Sequence, residues 1–117
     1  MQQHFETLNA WKSGRKLVKE IYQATTHFPK EEQYGLTGQL RRASVSIPAN
    51  IAEGKGRQHK KEYLQFLYQA QGSAYEVITL LQLSEDLSYL TNTQAQALLR
   101  HSGEVVALLT GLIRSLQ

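Results

Sequence analysis

The sequence predicts an all-α protein, an antiparallel up-down-up-down four-helix bundle formed as a single domain by residues 1–117. Apolar residues recur at steps of three or four in four separate segments, and no stretch alternates as a strand would. Only two prolines interrupt the chain, Pro29 and Pro48. The connections between the segments are short, so successive helices are expected to run antiparallel. A chain of 117 residues can bury a core without disulfides or metals.

The first two helices are bounded by proline and glycine signals. The first is predicted over about Leu8 to His27, because Pro29 disfavours helical backbone in the residue before it. The second is predicted over about Tyr34 to Gly54, where glycine suits a helix end and a tight connection. Pro48 lies inside the second helix and removes one backbone hydrogen bond, so it predicts a kink.

The last two helices are longer. The third is predicted over about Lys60 to Ser88 and would be roughly 43 Å long at ~1.5 Å per residue. The fourth is predicted over about Asn92 to Leu116. Thr91 and Gln94 have the spacing of a capping box at its start. The third helix is long for so small a domain, so its ends could project towards a neighbouring molecule.

The composition excludes several classes of protein. There is no cysteine, which rules out disulfides and cysteine-based zinc sites. The N-terminus lacks an apolar stretch suited to a signal peptide. The longest nearly apolar run, Val105 to Ile113, is far shorter than the roughly 20 residues needed to span a bilayer. We therefore expect a soluble, cytoplasmic protein with no membrane partner.

Charge is unevenly distributed along the chain. Residues 1–61 contain eleven Lys and Arg against five Asp and Glu, whereas residues 62–117 contain two against five. The basic half could face an anionic partner such as nucleic acid. The two halves could equally pair with each other, within one chain or between copies. Composition alone slightly favours the second interpretation.

Signals for catalysis or metal binding are weak. The four histidines are far apart and form no metal-binding pair of the HExxH type: His4, His27, His59 and His101. The serines of the second and third helices have no histidine at helical spacing to act as a base. The Gly54-Lys55-Gly56 segment lacks the rest of a phosphate-binding loop. The sequence therefore predicts no catalytic residues, no metal site, no cofactor and no enzymatic activity.

A polar stripe accompanies the apolar face of the second helix. It consists of Arg42, Ser46, Asn50, Glu53 and Arg57, again at steps of three or four, and the first four are the candidates for contact with the third helix. The third helix has a matching set, Gln69, Ser73 and Glu76. Buried polar groups need partners, so these seven residues predict a polar network or a subunit interface. A small-ligand site and a catalytic carboxylate pair are the less favoured alternatives.

Basic residues predict a candidate surface for nucleic acid. Those singled out are Lys12, Arg15, Lys16, Arg41, Arg42, Lys55, Arg57, Lys60 and Lys61. Such charges can bind phosphate without a base-reading motif. The alternative is a set of ordinary solvated side chains. The basic residues form one cluster on the first helix and a second cluster, Lys55, Arg57, Lys60 and Lys61, around the second connection, with Arg41 and Arg42 inside the second helix. Aromatic residues for base stacking are sparse here, and Tyr63 is the one ring close to the second cluster.

The central segment also resembles a known family. The matching residues are Gln39-Leu40-Arg41-Arg42-Ala43, Ser46-Ile47, Asn50-Ile51-Ala52-Glu53-Gly54 and Gly56-Arg57, with Trp11-Lys12, Leu17, Tyr34-Gly35-Leu36-Thr37, Phe66-Leu67, Ala70, Gly72-Ser73 and Glu76 outside it. This pattern is similar to that of the four-helix-bundle proteins encoded in 23S rRNA intervening sequences, the S23-like family. The resemblance covers nearly the whole chain, although the fourth helix matches only in its apolar pattern.

The resemblance implies an antiparallel bundle that assembles as a homopentamer. A related group, the accessory protein of diversity-generating retroelements, is similar in fold and ring assembly, and binds nucleic acid and a reverse transcriptase through a basic surface. The expected function is therefore a non-enzymatic scaffold or a sequence-tolerant RNA- or DNA-binding accessory factor, with a reverse transcriptase or an RNA-processing protein as possible partner. A protein–protein interaction module that does not bind nucleic acid is the alternative.

Overall fold

The structure, a computed structural model, describes residues 4–117 and consists of four α-helices. They are α1 (Asn9–Thr25), α2 (Leu36–Lys55), α3 (Lys60–Asp86) and α4 (Asn92–Ser115). Short 3₁₀ turns at His4–Thr7 and Lys30–Glu32 precede α1 and α2, and residues 4–117 contain no strand. The bundle measures 43 × 24 × 22 Å. The predicted all-α four-helix bundle is confirmed.

In each pair of consecutive helices, the end of the first helix lies beside the start of the second, and the start of the first lies beside the end of the second. The helices form a ring in which α1 packs on α2 and α4, and α3 packs on the same two. Side-chain pairs across the seams are Thr25 with Arg41, Ser46 with Ser73, and Gln71 with Thr110. Further along, Gly14 lies against Ile47, and Gly54 lies against Tyr63. This order is the one that an antiparallel bundle has.

The core is formed by the apolar stripe of each helix. Its fully buried aliphatic side chains are Leu17, Ile21, Leu40, Ile47, Ile51, Leu67, Val77, Leu81, Val105 and Leu109. Burying one such side chain contributes about 1.5–3 kcal/mol. Each helix supplies at least two of them, so no helix can leave the bundle without exposing part of the core.

Helix ends differ from the prediction by one or two residues. The helix α1 ends at Thr25 rather than His27, and the hydroxyl of Thr25 donates to the Ile21 carbonyl at 2.8 Å. The helix α3 ends at Asp86, because Ser88 adopts a left-handed φ of 64° that stops the helix. The capping box at Thr91 is confirmed, with hydrogen bonds in both directions to Gln94.

Two glycines allow close approach between helices. A Cβ atom on Gly54 would lie 2.6 Å from the Cβ of Phe66, so α2 and α3 meet there almost backbone to backbone. A Cβ on Gly14 would lie 3.1 Å from Ile47 Cγ2 and 3.6 Å from the Cδ of Pro48. The helix α2 continues through Pro48 to Lys55, so the proline lies against α1 inside an unbroken helix.

Candidate nucleic-acid interface

One end of the bundle is rich in cations. The start of α1, the end of α2 and the start of α3 meet there because of the reverse pairing of the helices. We call this end of the bundle the basic end, and it consists of Lys12, Lys55, Arg57, Lys60 and Lys61. All but Lys55 are exposed. The sequence predicted the charges, and the fold brings two separate clusters to the same end.

The side chains of Lys60 and Lys61 make no hydrogen bond or ion pair with any residue in 4–117. They occupy the first turn of α3, whose N-cap residue His59 provides no side-chain cap. The positive end of the helix dipole makes cations there unfavourable by about 0.3–1 kcal/mol. No hydrogen bond or ion pair within residues 4–117 occupies the charge of the two lysines, and it is available to an outside partner.

Arg57 and Lys55 are partly held by the protein itself. The guanidinium of Arg57 lies 4.8 Å from the Phe66 ring centroid and donates to Glu53 Oε1 at 3.1 Å. The ammonium of Lys55 lies 5.5 Å from the Tyr63 ring centroid. An exposed ion pair of this kind contributes less than about 1 kcal/mol. Both cations can therefore turn to a phosphate at small cost.

Tyr63 is unsuited to stacking on a base. Its side chain is only 7% exposed and faces the core beside Gly54. Burial raises the pKa of its hydroxyl, which has no hydrogen-bond partner among residues 4–117. The ring that the sequence placed beside the second basic cluster thus belongs to the core.

The first helix carries the rest of the candidate surface. Arg15 and Lys16 are exposed. The guanidinium of Arg15 lies 5.5 Å from the Trp11 ring centroid. Lys16 lines a cleft of about 410 Å³ between α1 and α4. These two residues extend the positive charge from Lys12 along α1.

Arg41 has a structural position instead. Its Nε donates to the Thr25 hydroxyl at 2.9 Å, and its guanidinium lies 4.6 Å from the Tyr22 ring centroid. These contacts join α2 to the end of α1, away from the basic end. The neighbouring Arg42 is exposed, because a step of one residue turns a helix by about 100°. The structure thus separates two arginines that are adjacent in sequence.

Three residues of the predicted polar network do meet between α2 and α3. The hydroxyls of Ser46 and Ser73 lie 2.8 Å apart, and Asn50 Nδ2 donates to both the carbonyl and the hydroxyl of Ser46. A cleft of about 480 Å³ lies beside them and is also lined by Arg42 and Glu76. Of these hydrogen bonds, the one between Ser46 and Ser73 joins α2 to α3, whereas both bonds of Asn50 lie within α2.

Two members of the predicted network lie outside it. Glu53 pairs with Arg57 one turn away on its own helix, where the i,i+4 spacing brings the two side chains together. Gln69 is exposed, and its side chain makes no hydrogen bond within residues 4–117. Helical spacing alone put these residues on the polar side, but it could not show which of them reach the neighbouring helix.

A three-residue bridge between α1 and α4 was not predicted. His101 Nδ1 lies 2.7 Å from Glu20 Oε1, and its Nε2 lies 3.1 Å from Ser13 Oγ. This order resembles a catalytic triad. Ser13, however, is the fifth residue of α1, so its N–H and those after it bond within the helix and cannot stabilise an oxyanion. The partners are 81 and 88 residues from His101, and no sequence signal would have joined them.

We expect His101→Ala to destabilise the protein by about 1–2 kcal/mol, because it removes two hydrogen bonds, one of them to a carboxylate. Urea denaturation followed by circular dichroism measures this change. His59→Ala is the matched control, since His59 is exposed and has no side-chain hydrogen bond within residues 4–117. Equal stability of the two variants would show that the bridge does not hold α4 to α1.

The fold and the basic end are those of a small four-helix-bundle protein, and residues 4–117 contain no cluster of metal ligands. The chain belongs to the 23S rRNA-intervening sequence protein family, whose sequence model matches residues 6–111. The predicted family is therefore confirmed. No curated protein matches the chain in sequence.

A solved structure supports the fold. A protein of unknown function from the S23 ribosomal protein family of Bacteroides thetaiotaomicron is similar, with a TM-score of 0.80 and 23% sequence identity. The match covers 89% of this chain and 97% of that one. In addition, the part of the chain from residue 4 onward contains no helix with the length and apolarity that a bilayer span requires.

Proposed function

We propose that this protein is a non-enzymatic, homo-oligomeric accessory factor that binds RNA or DNA electrostatically and without sequence preference. The observation that carries the proposal is the basic end, where Lys60 and Lys61 have no partner within residues 4–117 and stand at a helix start that disfavours them. An anionic partner would explain why these two cations are present at a position where they slightly destabilise the helix. Phosphate contacts of this kind supply most of the affinity of sequence-tolerant binding.

Oligomerisation multiplies this surface. The resemblance to the intervening-sequence proteins implies five copies. Exposed apolar side chains offer area for association, among them Val45 on α2, Leu83 on α3 and Leu108 on α4, which are 42%, 44% and 37% exposed. A ring of several copies would present several basic ends to one strand, and linked sites raise the overall affinity far above that of one site.

A gel shift with a structured RNA at two salt concentrations tests the binding. We expect a shifted band at about 50 mM salt that is lost or much weaker at about 200 mM salt, because phosphate contacts release counterions. Sedimentation of the protein alone tests the oligomer, for which five copies are expected. A protein that shifts no nucleic acid at the lower salt is not the proposed binding factor.

A second candidate function is a protein–protein interaction module that does not bind nucleic acid. The observation in its favour is Tyr34, which is 87% exposed at the opposite, acidic end of the bundle, close to Glu31 and Glu32. The protein partner that we propose for such a module is a reverse transcriptase or an RNA-processing protein. Affinity capture from cells, with and without nuclease, separates the two candidates, because only a direct protein partner survives nuclease.

A further inference from the structure

We propose that the outer face of α3 binds single-stranded nucleic acid, with Lys61 contacting a phosphate and with Tyr68 and Tyr75 stacking on bases. The inference rests on the proposed function and deepens it, since it names the part of the surface that is used and the strandedness of the ligand.

The spacing of the three residues puts them on one face. They are separated by steps of seven, so each step is about two helical turns, or roughly 10 Å. The tyrosine side chains are 47% and 54% exposed. Gly72 lies between the two rings, and a Cβ atom added to it would meet nothing within 4 Å. The face is therefore a strip that is open between the two rings and begins at the basic end.

The two rings differ from the tyrosines that the fold uses. Tyr63 is buried in the core, and Tyr89 donates its hydroxyl hydrogen to Glu32 at 2.9 Å. Tyr68 is oriented at the surface, since its hydroxyl accepts a hydrogen bond from Gln117 Nε2 at 2.9 Å. The ring of Tyr75 makes no ring contact or side-chain hydrogen bond within residues 4–117. About half of each side chain thus remains exposed, and this part is available to a planar partner.

Charge and geometry together favour a single strand. Lys60 and Lys61 supply a phosphate anchor at one end of the strip, and the two rings follow along α3 at successive steps of roughly 10 Å. The bases of a duplex are paired and stacked inside it, so they cannot reach the rings, whereas unpaired bases can stack on any aromatic face. Glu76, the residue after Tyr75, is exposed, and its carboxylate repels phosphate. The sugar–phosphate backbone of the strand is therefore expected on the side of the two tyrosine rings that faces away from Glu76.

Fluorescence anisotropy with a labelled oligo(dT) of about 16 nucleotides, and with a duplex of equal length, tests the proposal on the full chain. We expect the wild type to bind the single strand more tightly than the duplex. Tyr75→Ala should weaken binding of the single strand at least about fivefold, because a base stack is lost. Tyr75→Phe keeps the ring and should retain the affinity. The control Tyr34→Ala removes an exposed tyrosine at the opposite end and should change nothing.

The other outcomes are distinguishable. If Tyr75→Ala binds like the wild type while Lys61→Ala binds more weakly, phosphate binding stands and the stacking proposal is overturned. If Tyr75→Ala changes the sedimenting mass of the protein, a second copy of the chain covers the strip, which also overturns it. Absence of binding of either probe by the wild type rejects the proposed function itself. Circular dichroism spectra of all variants check that each is folded.

Discussion

Gly54→Ala is expected to destabilise the protein by about 2–3 kcal/mol, the largest loss that we predict for the addition of one methyl group. The added Cβ would lie 2.6 Å from the Cβ of Phe66, 3.1 Å from Tyr63 Cδ1 and 3.3 Å from the Tyr63 carbonyl oxygen. Two of these atoms are fixed to the α3 backbone, so they cannot turn aside. The helices α2 and α3 must therefore separate, which opens the core at the base of the basic end.

Gly72→Ala is the matched control for this prediction. Gly72 is exposed in the interior of α3, and a Cβ atom there meets nothing within 4 Å. Alanine lowers the conformational entropy of the unfolded chain and should stabilise the protein by about 0.5–1 kcal/mol. Urea denaturation of both variants gives the two free energies of unfolding. A Gly54→Ala variant at least as stable as the wild type would show that α2 and α3 do not approach as closely at Gly54 as the structure indicates.

The double substitution Lys60→Glu with Lys61→Glu is expected to abolish most nucleic-acid binding while leaving the fold intact or more stable. Two cations that make no hydrogen bond or ion pair within residues 4–117 become two anions at the positive end of the α3 dipole, where a negative charge is favourable by about 0.3–1 kcal/mol. A loss of binding through unfolding would be accompanied by a lower melting temperature, whereas we expect that temperature to stay the same or rise.

The matched control is Lys30→Glu, which reverses one exposed charge at the opposite end of the bundle. It changes the net charge in the same direction without touching the basic end. We expect its affinity for nucleic acid to fall only slightly through the weaker long-range field. Comparable losses in Lys30→Glu and in the double variant would show that net charge, and not the basic end, governs binding.

The spacing of apolar residues was sufficient to predict the four helices and their buried side chains. Apolar side chains repeat with the helical period whichever helix they pack against. It was insufficient for contacts between helices. Arg41 and Arg42 are adjacent in sequence, yet one joins α1 to α2 and the other is exposed. Likewise, His101 contacts Glu20 and Ser13 only in the folded bundle, because these residues are far from it in sequence.

The candidate site was predictable in part. Its basic residues are visible in the sequence, but their convergence at one end depends on the pairing of the helices. The spacing of Lys61, Tyr68 and Tyr75 could have been found by counting steps of seven. Only the structure shows that these rings are exposed while Tyr63 is buried, since all three tyrosines lie on one helix and differ by their direction around it.

The salt dependence of single-strand binding tests the central claim, that a basic end binds phosphate, most directly. The logarithm of the association constant is plotted against the logarithm of salt concentration for the wild type and for the Lys60→Glu, Lys61→Glu variant. Each phosphate contact contributes a slope of about −0.7 for a single strand. Where the variant still binds at low salt, its slope should be shallower than that of the wild type by about 1.4, corresponding to two contacts. Equal slopes and equal affinities would contradict the claim.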